Sequence, residues 1–157
     1  MPDSKTVKAT RLYSGEDGQS HFEDLWFPLE ENVNHPCPTM EGRSIGFMTA
    51  FPASEMSFRV TPPGGDHDFH WSPGRAFQLT LTGLLELEVG DGTRRRFGPG
   101  DVLIIDEQGK GQGHRSRELE PRVTANVEIP EDLDLSQYRI QPSRTAPTVD
   151  RRPDGQA

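Results

Sequence analysis

Histidine is the side chain whose protonation changes nearest to neutral pH, and three of the five histidines in this chain sit where that property can be used. His67, Asp68 and His70 fall in one short polar stretch, GDHDFHWS, and His114 follows a run punctuated by Gly109, Gly111 and Gly113. Imidazoles of this kind serve as proton donor and acceptor, or as ligands for a divalent metal. Asp68 beside His67 offers a carboxylate to orient a ring as a His-Asp dyad, although short polar loops collect such neighbours routinely. Trp71 follows His70, and an indole there either stacks on a flat or sugar-like ligand or packs under its own loop.

Other reactive-looking residues carry less. Cys37 lies between Pro36 and Pro38, near His35, and a proline-rich loop gives a thiol-imidazole pair no defined geometry. Arg94, Arg95 and Arg96 occupy consecutive strand positions, so their side chains alternate and read as a solvated edge rather than an anion cradle. Gly109-Lys110-Gly111 lacks the frame of a phosphate loop.

At 157 residues the chain has the length of one domain, expected over residues 9–140 with flexible termini at 1–8 and 141–157. Sixteen glycines and fourteen prolines are scattered throughout, as in a protein of short strands and many turns. A net charge of -8 argues against a phosphate-backbone partner, which needs a positive surface, so no nucleic acid is expected and a small organic ligand is. A single cysteine, no leader pattern and no bilayer-length apolar run lead to the expectation of a cytoplasmic protein without membrane contact.

The elements that must position the histidines are strands. Thr10–Tyr13 and Ser44–Ala50 read as strands, Phe22–Leu29 is expected to lie across the outside of the barrel, and Met56, Phe58 and Val60 alternate with polar residues so that the apolar row is expected to face inward. After a loop over Pro62–Arg75, Ala76–Thr82 sets Phe77, Leu79 and Leu81 on one face and Ala76, Gln78, Thr80 and Thr82 on the other. Leu84–Val89 and Thr93–Phe97 form a hairpin around Gly90-Asp91-Gly92, followed by strands at Asp101–Ile105, His114–Arg117 and Pro121–Ile129. Pro130 is expected to start one helical turn reaching Tyr138.

The segments "GDHDFHWSPGRAFQLTLTG" and "FGPGDVLIIDEQGKGQGH" resemble the two motifs of the cupin superfamily, whose fold is an all-β double-stranded β-helix, a small jelly-roll barrel. The first family motif, Gly-x5-His-x-His-x3-Glu-x6-Gly, is matched by Gly64, His70 and Gly83, with Ser72 in place of the second His and Ala76 in place of the Glu. In the second, Gly100 and His114 match in kind, Asp106 stands for the Pro, Glu118 for the Asn, and the loop is three residues longer. Residues 11–117 as a stretch are similar to a bacterial group of single-domain cupins of largely unassigned function.

That resemblance implies that His70 and His114 converge at the barrel mouth. There they form either a catalytic acid/base pair or two ligands of a weakly held divalent first-row metal, joined by Asp68, His67 or Asp106; equally, they are rim histidines kept from an ancestral site. Gln78, Thr80, Trp71 and Ser72 are the expected ligand-binding residues, although Gln78 alternatively satisfies its amide against neighbouring backbone. Expected functions are a small-molecule isomerase, lyase or cyclase, or a non-catalytic metabolite-binding or regulatory cupin. A homodimer is expected, with Phe77, Leu79 and Leu81 suited to an assembly face or to burial under the N-terminal segment.

Overall fold

The computed structural model describes residues 6–31 and 46–139. Twelve strands follow in order: β1 Thr6–Ser14, β2 Ser20–Pro28, β3 Glu30–Glu31, β4 Phe47–Met48, β5 Glu55–Thr61, β6 Asp66–His70, β7 Ala76–Thr82, β8 Leu85–Glu88, β9 Arg94–Phe97, β10 Val102–Asp106, β11 His114–Glu118 and β12 Arg122–Glu128. They build a six-stranded sheet in the order β2-β1-β10-β7-β12-β5 and a four-stranded sheet β6-β11-β8-β9, with β3 and β4 paired apart. All pairings are antiparallel except β1 with β10. The fold is all-β and jelly-roll-like. No helix among the described residues is long and apolar enough to cross a membrane.

Strand alternation divides the core in two. Leu12, Leu85, Leu87, Val89, Phe97 and Leu103 meet between the two large sheets. Each buried leucine there contributes roughly 1.5–3 kcal/mol through the water it sheds. Ala9, Leu25, Phe27 and Ile104, of opposite parity on β1, β2 and β10, face the other side of the six-stranded sheet, where Phe51, Leu133, Leu135 and Tyr138 cover them. Arg75 holds that cover in place by donating from Nη1 to the carbonyls of Pro130, Glu131 and Leu133 at 2.6–3.1 Å.

Several expectations are corrected. β1 begins at Thr6, so residues 6–8 belong to the sheet and not to a loose arm; the ladder from Thr6↔Pro28 to Ser14↔Ser20 overrides the polar composition. The stretch read as a loop over 62–75 contains β6, which has no apolar alternation and exists because β11 pairs with it. Phe47–Met48 is the strand portion described within 44–50. The helical turn is a 3-10 helix confined to Ser136–Tyr138. Most consequential, Met56, Phe58 and Val60 point outward, 59%, 69% and 75% exposed. Alternation defines two faces of a strand but not which one is inside. The tail beyond residue 139, residues 1–5 and Cys37 with His35 lie outside the described residues.

Candidate functional site

β6 and β11 bring the two histidines together. They are antiparallel, and His70 and His114 are direct cross-strand partners, so both side chains leave the same face of the sheet. Their ring centroids lie 4.5 Å apart, and the His67 ring centroid stands 5.9 Å from that of His70. Gly113 makes this register attainable. Its φ of +82° lies in the left-handed region, and a Cβ at that position would collide with the carbonyl oxygen of His70.

Both rings are tied back through Nδ1. In His70 that nitrogen lies 2.7 Å from the carbonyl oxygen of Asp68, which only accepts, so Nδ1 carries the proton and Nε2 offers its lone pair. In His114 Nδ1 donates to Oε2 of Glu107 at 2.9 Å. Glu107 is 1% exposed and His114 4%. The same carboxylate accepts the backbone N–H of Ser72 at 2.9 Å and the hydroxyl of Ser20. Burial pushes the Glu107 carboxyl up, but the hydrogen bond and charge of His114, with the donors Ser20 and Ser72, outweigh it and hold the pKa below its ordinary value. The result is an ionised carboxylate behind a fixed imidazole.

The histidines line a cavity of about 710 Å3 between the two large sheets. Leu85, Leu87 and Ile105 give it an apolar floor, and Gln78, Glu118 and Arg122 a polar wall. Arg122 is clamped bidentately on Glu118, both contacts at 2.9 Å, and donates from Nη1 to Gln78 Oε1 at 2.8 Å. Gln78 passes its amide N–H to Asn126 at 3.1 Å. A groove of similar size, about 750 Å3, runs along β1, β9 and β10, but its charges are already engaged: Lys8 and Arg95 with Asp24, Arg96 with Glu86.

Of the residues singled out in the sequence, His67, Asp68, His70, Ser72, Gln78, His114 and Glu118 share the cavity. Thr80 is buried but is not among the lining residues, and half-exposed Trp71 lies against Gly109 outside it. Asp68 accepts from Arg115 at 2.9 Å and 3.2 Å and from the N–H of Phe69, so it does not pair with His67 as a dyad. Asp106 is turned away, between Arg11, Arg75 and Gln108. Phe77 packs against Phe27 and Phe51, while Leu81 stays exposed.

Glu107 and Arg122 are the site residues that sequence reading missed. The available signal was parity. Glu107 continues the row Leu103, Ile105 that faces between the sheets, and Arg122 begins the row Thr124, Asn126 opposite the apolar Val123, Ala125, Val127.

The metal centre implied by the family pattern does not fit these residues. Among the described residues no group of three or more His, Cys, Asp or Glu side chains is arranged to hold a metal ion. Ser72 and Ala76 occupy the missing ligand positions, Glu107 is consumed by His114, and Glu118 by Arg122.

No protein-family model matches the chain, and no curated protein matches it. Among solved structures it is similar to a conserved protein of unknown function from Streptococcus pyogenes, with a TM-score of 0.36 and 24% identity over 51% of this chain and 69% of that one. It is also similar to a provisionally assigned mannose-6-phosphate isomerase from Ralstonia eutropha, with a TM-score of 0.32 and 17% identity over 83% of this chain and 88% of the other. At these scores neither likeness bears on function.

Proposed function

We propose that the protein is a cupin-type enzyme for a small molecule, of the isomerase, lyase or cyclase kind, in which His70 and His114 act as an acid/base pair. One observation carries this reading: two imidazoles 4.5 Å apart, each anchored at Nδ1, leave Nε2 as the working nitrogen over a common cavity. His114 takes a proton from the substrate at Nε2, and the Glu107 carboxylate stabilises the imidazolium that results. His70, after taking up a second proton at Nε2 from solvent, gives that proton to a neighbouring substrate atom, and His114 then releases its own to solvent, which restores both rings. Gln78 and Ser72 are the polar groups that orient the substrate, and Leu85, Leu87 and Ile105 exclude water beneath it. The chemistry needed is proton movement next to a carbonyl or hydroxyl group, and no step passes through a metal.

The test is solvent exchange. A panel of hydroxy acids, keto acids and aldoses is incubated with the protein in deuterium oxide, and loss of carbon-bound proton signals is followed by NMR. Exchange into at least one class is expected, falling by roughly 10²–10⁴-fold in His114→Ala, the range typical of a lost general acid or base. Exchange equal in wild type, His70→Ala and His114→Ala would overturn the reading.

A second reading, a metabolite-binding or regulatory cupin, is favoured by Ser72 and Ala76 standing where the family pattern has His and Glu. Saturable binding of a co-purified metabolite, recovered unchanged after prolonged incubation, decides for it.

A further inference from the structure

The outer face of the six-stranded sheet is apolar across β7, β12 and β5, but its cover stops partway. Phe51 and Tyr138 pack over Phe27, and Phe51 also over Phe77. An apolar groove of about 220 Å3 lined by Phe51, Phe77 and Val127 marks where that cover ends. Beyond it the register Val127↔Met56, Ala125↔Phe58 and Val123↔Val60 extends the same row onto β5, where all three side chains are exposed. β5 is also a sheet edge, and among the described residues nothing pairs with its outer side. An apolar row on an open strand edge is an association surface.

We propose that a second copy of this chain occupies it, the two β5 strands running antiparallel about a two-fold axis at Phe58. Three features of the sequence select that occupant. In this register Met56 faces the partner's Val60, Ser57 the partner's Arg59, and Glu55 the partner's Thr61, so apolar meets apolar and no like charges are opposed. Pro52 precedes the seven-residue strand and Pro62-Pro63 follow it, and proline supplies no N–H to a ladder, so the edge accommodates a strand as short as itself. Outside the described residues the large aliphatic side chains are Met1, Val33, Met40, Ile45, Ile140 and Val149, and the sequence there has no alternating apolar row to match that of β5. Arg59, Val60 and Thr61 at the end of β5 also border the histidine-lined cavity, so pairing sets the partner's Ser57, opposite Arg59, beside the cavity wall.

Sedimentation of the full chain across the micromolar range tests this. A species of twice the 17.5 kDa chain mass is expected, reverting to monomer in Phe58→Asp with an unchanged far-ultraviolet dichroism spectrum. In a Cys37→Ser background, Phe58→Cys is expected to form an intermolecular disulfide on mild oxidation, while Leu81→Cys, also exposed, does not. A wild type that stays monomeric would assign the face to a different partner and overturn the proposal. So would a dimer indifferent to Phe58→Asp, or equal cross-linking at positions 58 and 81.

Discussion

His114 donates through Nδ1 to the carboxylate of Glu107 across 2.9 Å, with Glu107 buried behind a histidine that faces the cavity. Glu107 accepts three donors in all, from Ser20, Ser72 and His114. In Glu107→Gln a single amide oxygen replaces two carboxylate oxygens and an NH2 group is turned toward a donor, so at least one buried partner is left unmet. The expected cost is about 1–3 kcal/mol of stability. Urea denaturation of the two proteins at pH 7 measures it, and a difference below the error of the method would mean that Glu107 is not held as described.

The same carboxylate predicts an acid limb. Its folded-state pKa lies below the ordinary 4.5, so as the pH falls the unfolded chain binds this proton first. Its stabilising contribution is therefore complete above that ordinary value and is lost as the pH falls through the lowered one. Melting temperatures of wild type and Glu107→Gln should differ by a constant amount from pH 7 down to about 5 and converge further into acid. A gap that widens on acidification would reverse the sign and refute the assignment.

Gly113 and Gly100 form an internal control. Both have φ in the left-handed region, +82° and +90°, but a Cβ on Gly100 meets nothing within 4 Å, whereas one on Gly113 meets the His70 carbonyl. Gly100→Ala should cost only backbone strain, on the order of 1–3 kcal/mol. Gly113→Ala should cost more and should also shift the imidazole NMR signals of both His70 and His114. Equal losses for the two variants would show that β6 and β11 are not in contact at this point.

Arg122 and Glu118 are both buried and bonded at two points. Arg122→Leu strands the carboxylate and should destabilise by about 3–5 kcal/mol, while Arg122→Leu with Glu118→Leu should recover most of that loss. A double-mutant cycle by chemical denaturation reads the coupling, and additive losses would rule it out.

The missing metal ligand predicts a gain of function. Ser72 lines the cavity with His67, His70 and His114, so Ser72→His adds an imidazole at the position where the family motif has its second histidine, making a three-imidazole set with His70 and His114. Calorimetry should show zinc or cobalt binding tightened by at least about tenfold over wild type, since a three-imidazole set is the ordinary protein ligand group for such ions. No change would mean that the three positions do not converge.

Much of the architecture was legible without coordinates. β7 begins and ends at Ala76 and Thr82 as its alternation indicates, and the β8–β9 hairpin turns at Gly90-Asp91-Gly92 because only small or turn-forming residues occur there. The inward parity of Gln78 also followed from the strand period. β6 was not legible, because polar residues held by a neighbour's backbone leave no hydrophobic period. The direction of Met56, Phe58 and Val60 was not legible either, since period 2 is unchanged when a strand is turned over.

Local sequence thus settled most of the strands and which residues along each share a parity, because these depend on steric and hydrophobic preferences between near neighbours. Only the tertiary structure decided that Glu107, not Asp106, stands behind His114, that Arg122 is neutralised by Glu118, and that the apolar row of β5 faces out. Those outcomes depend on which strands become neighbours across the sheets, and contacts between residues far apart in sequence leave no periodic trace along the chain.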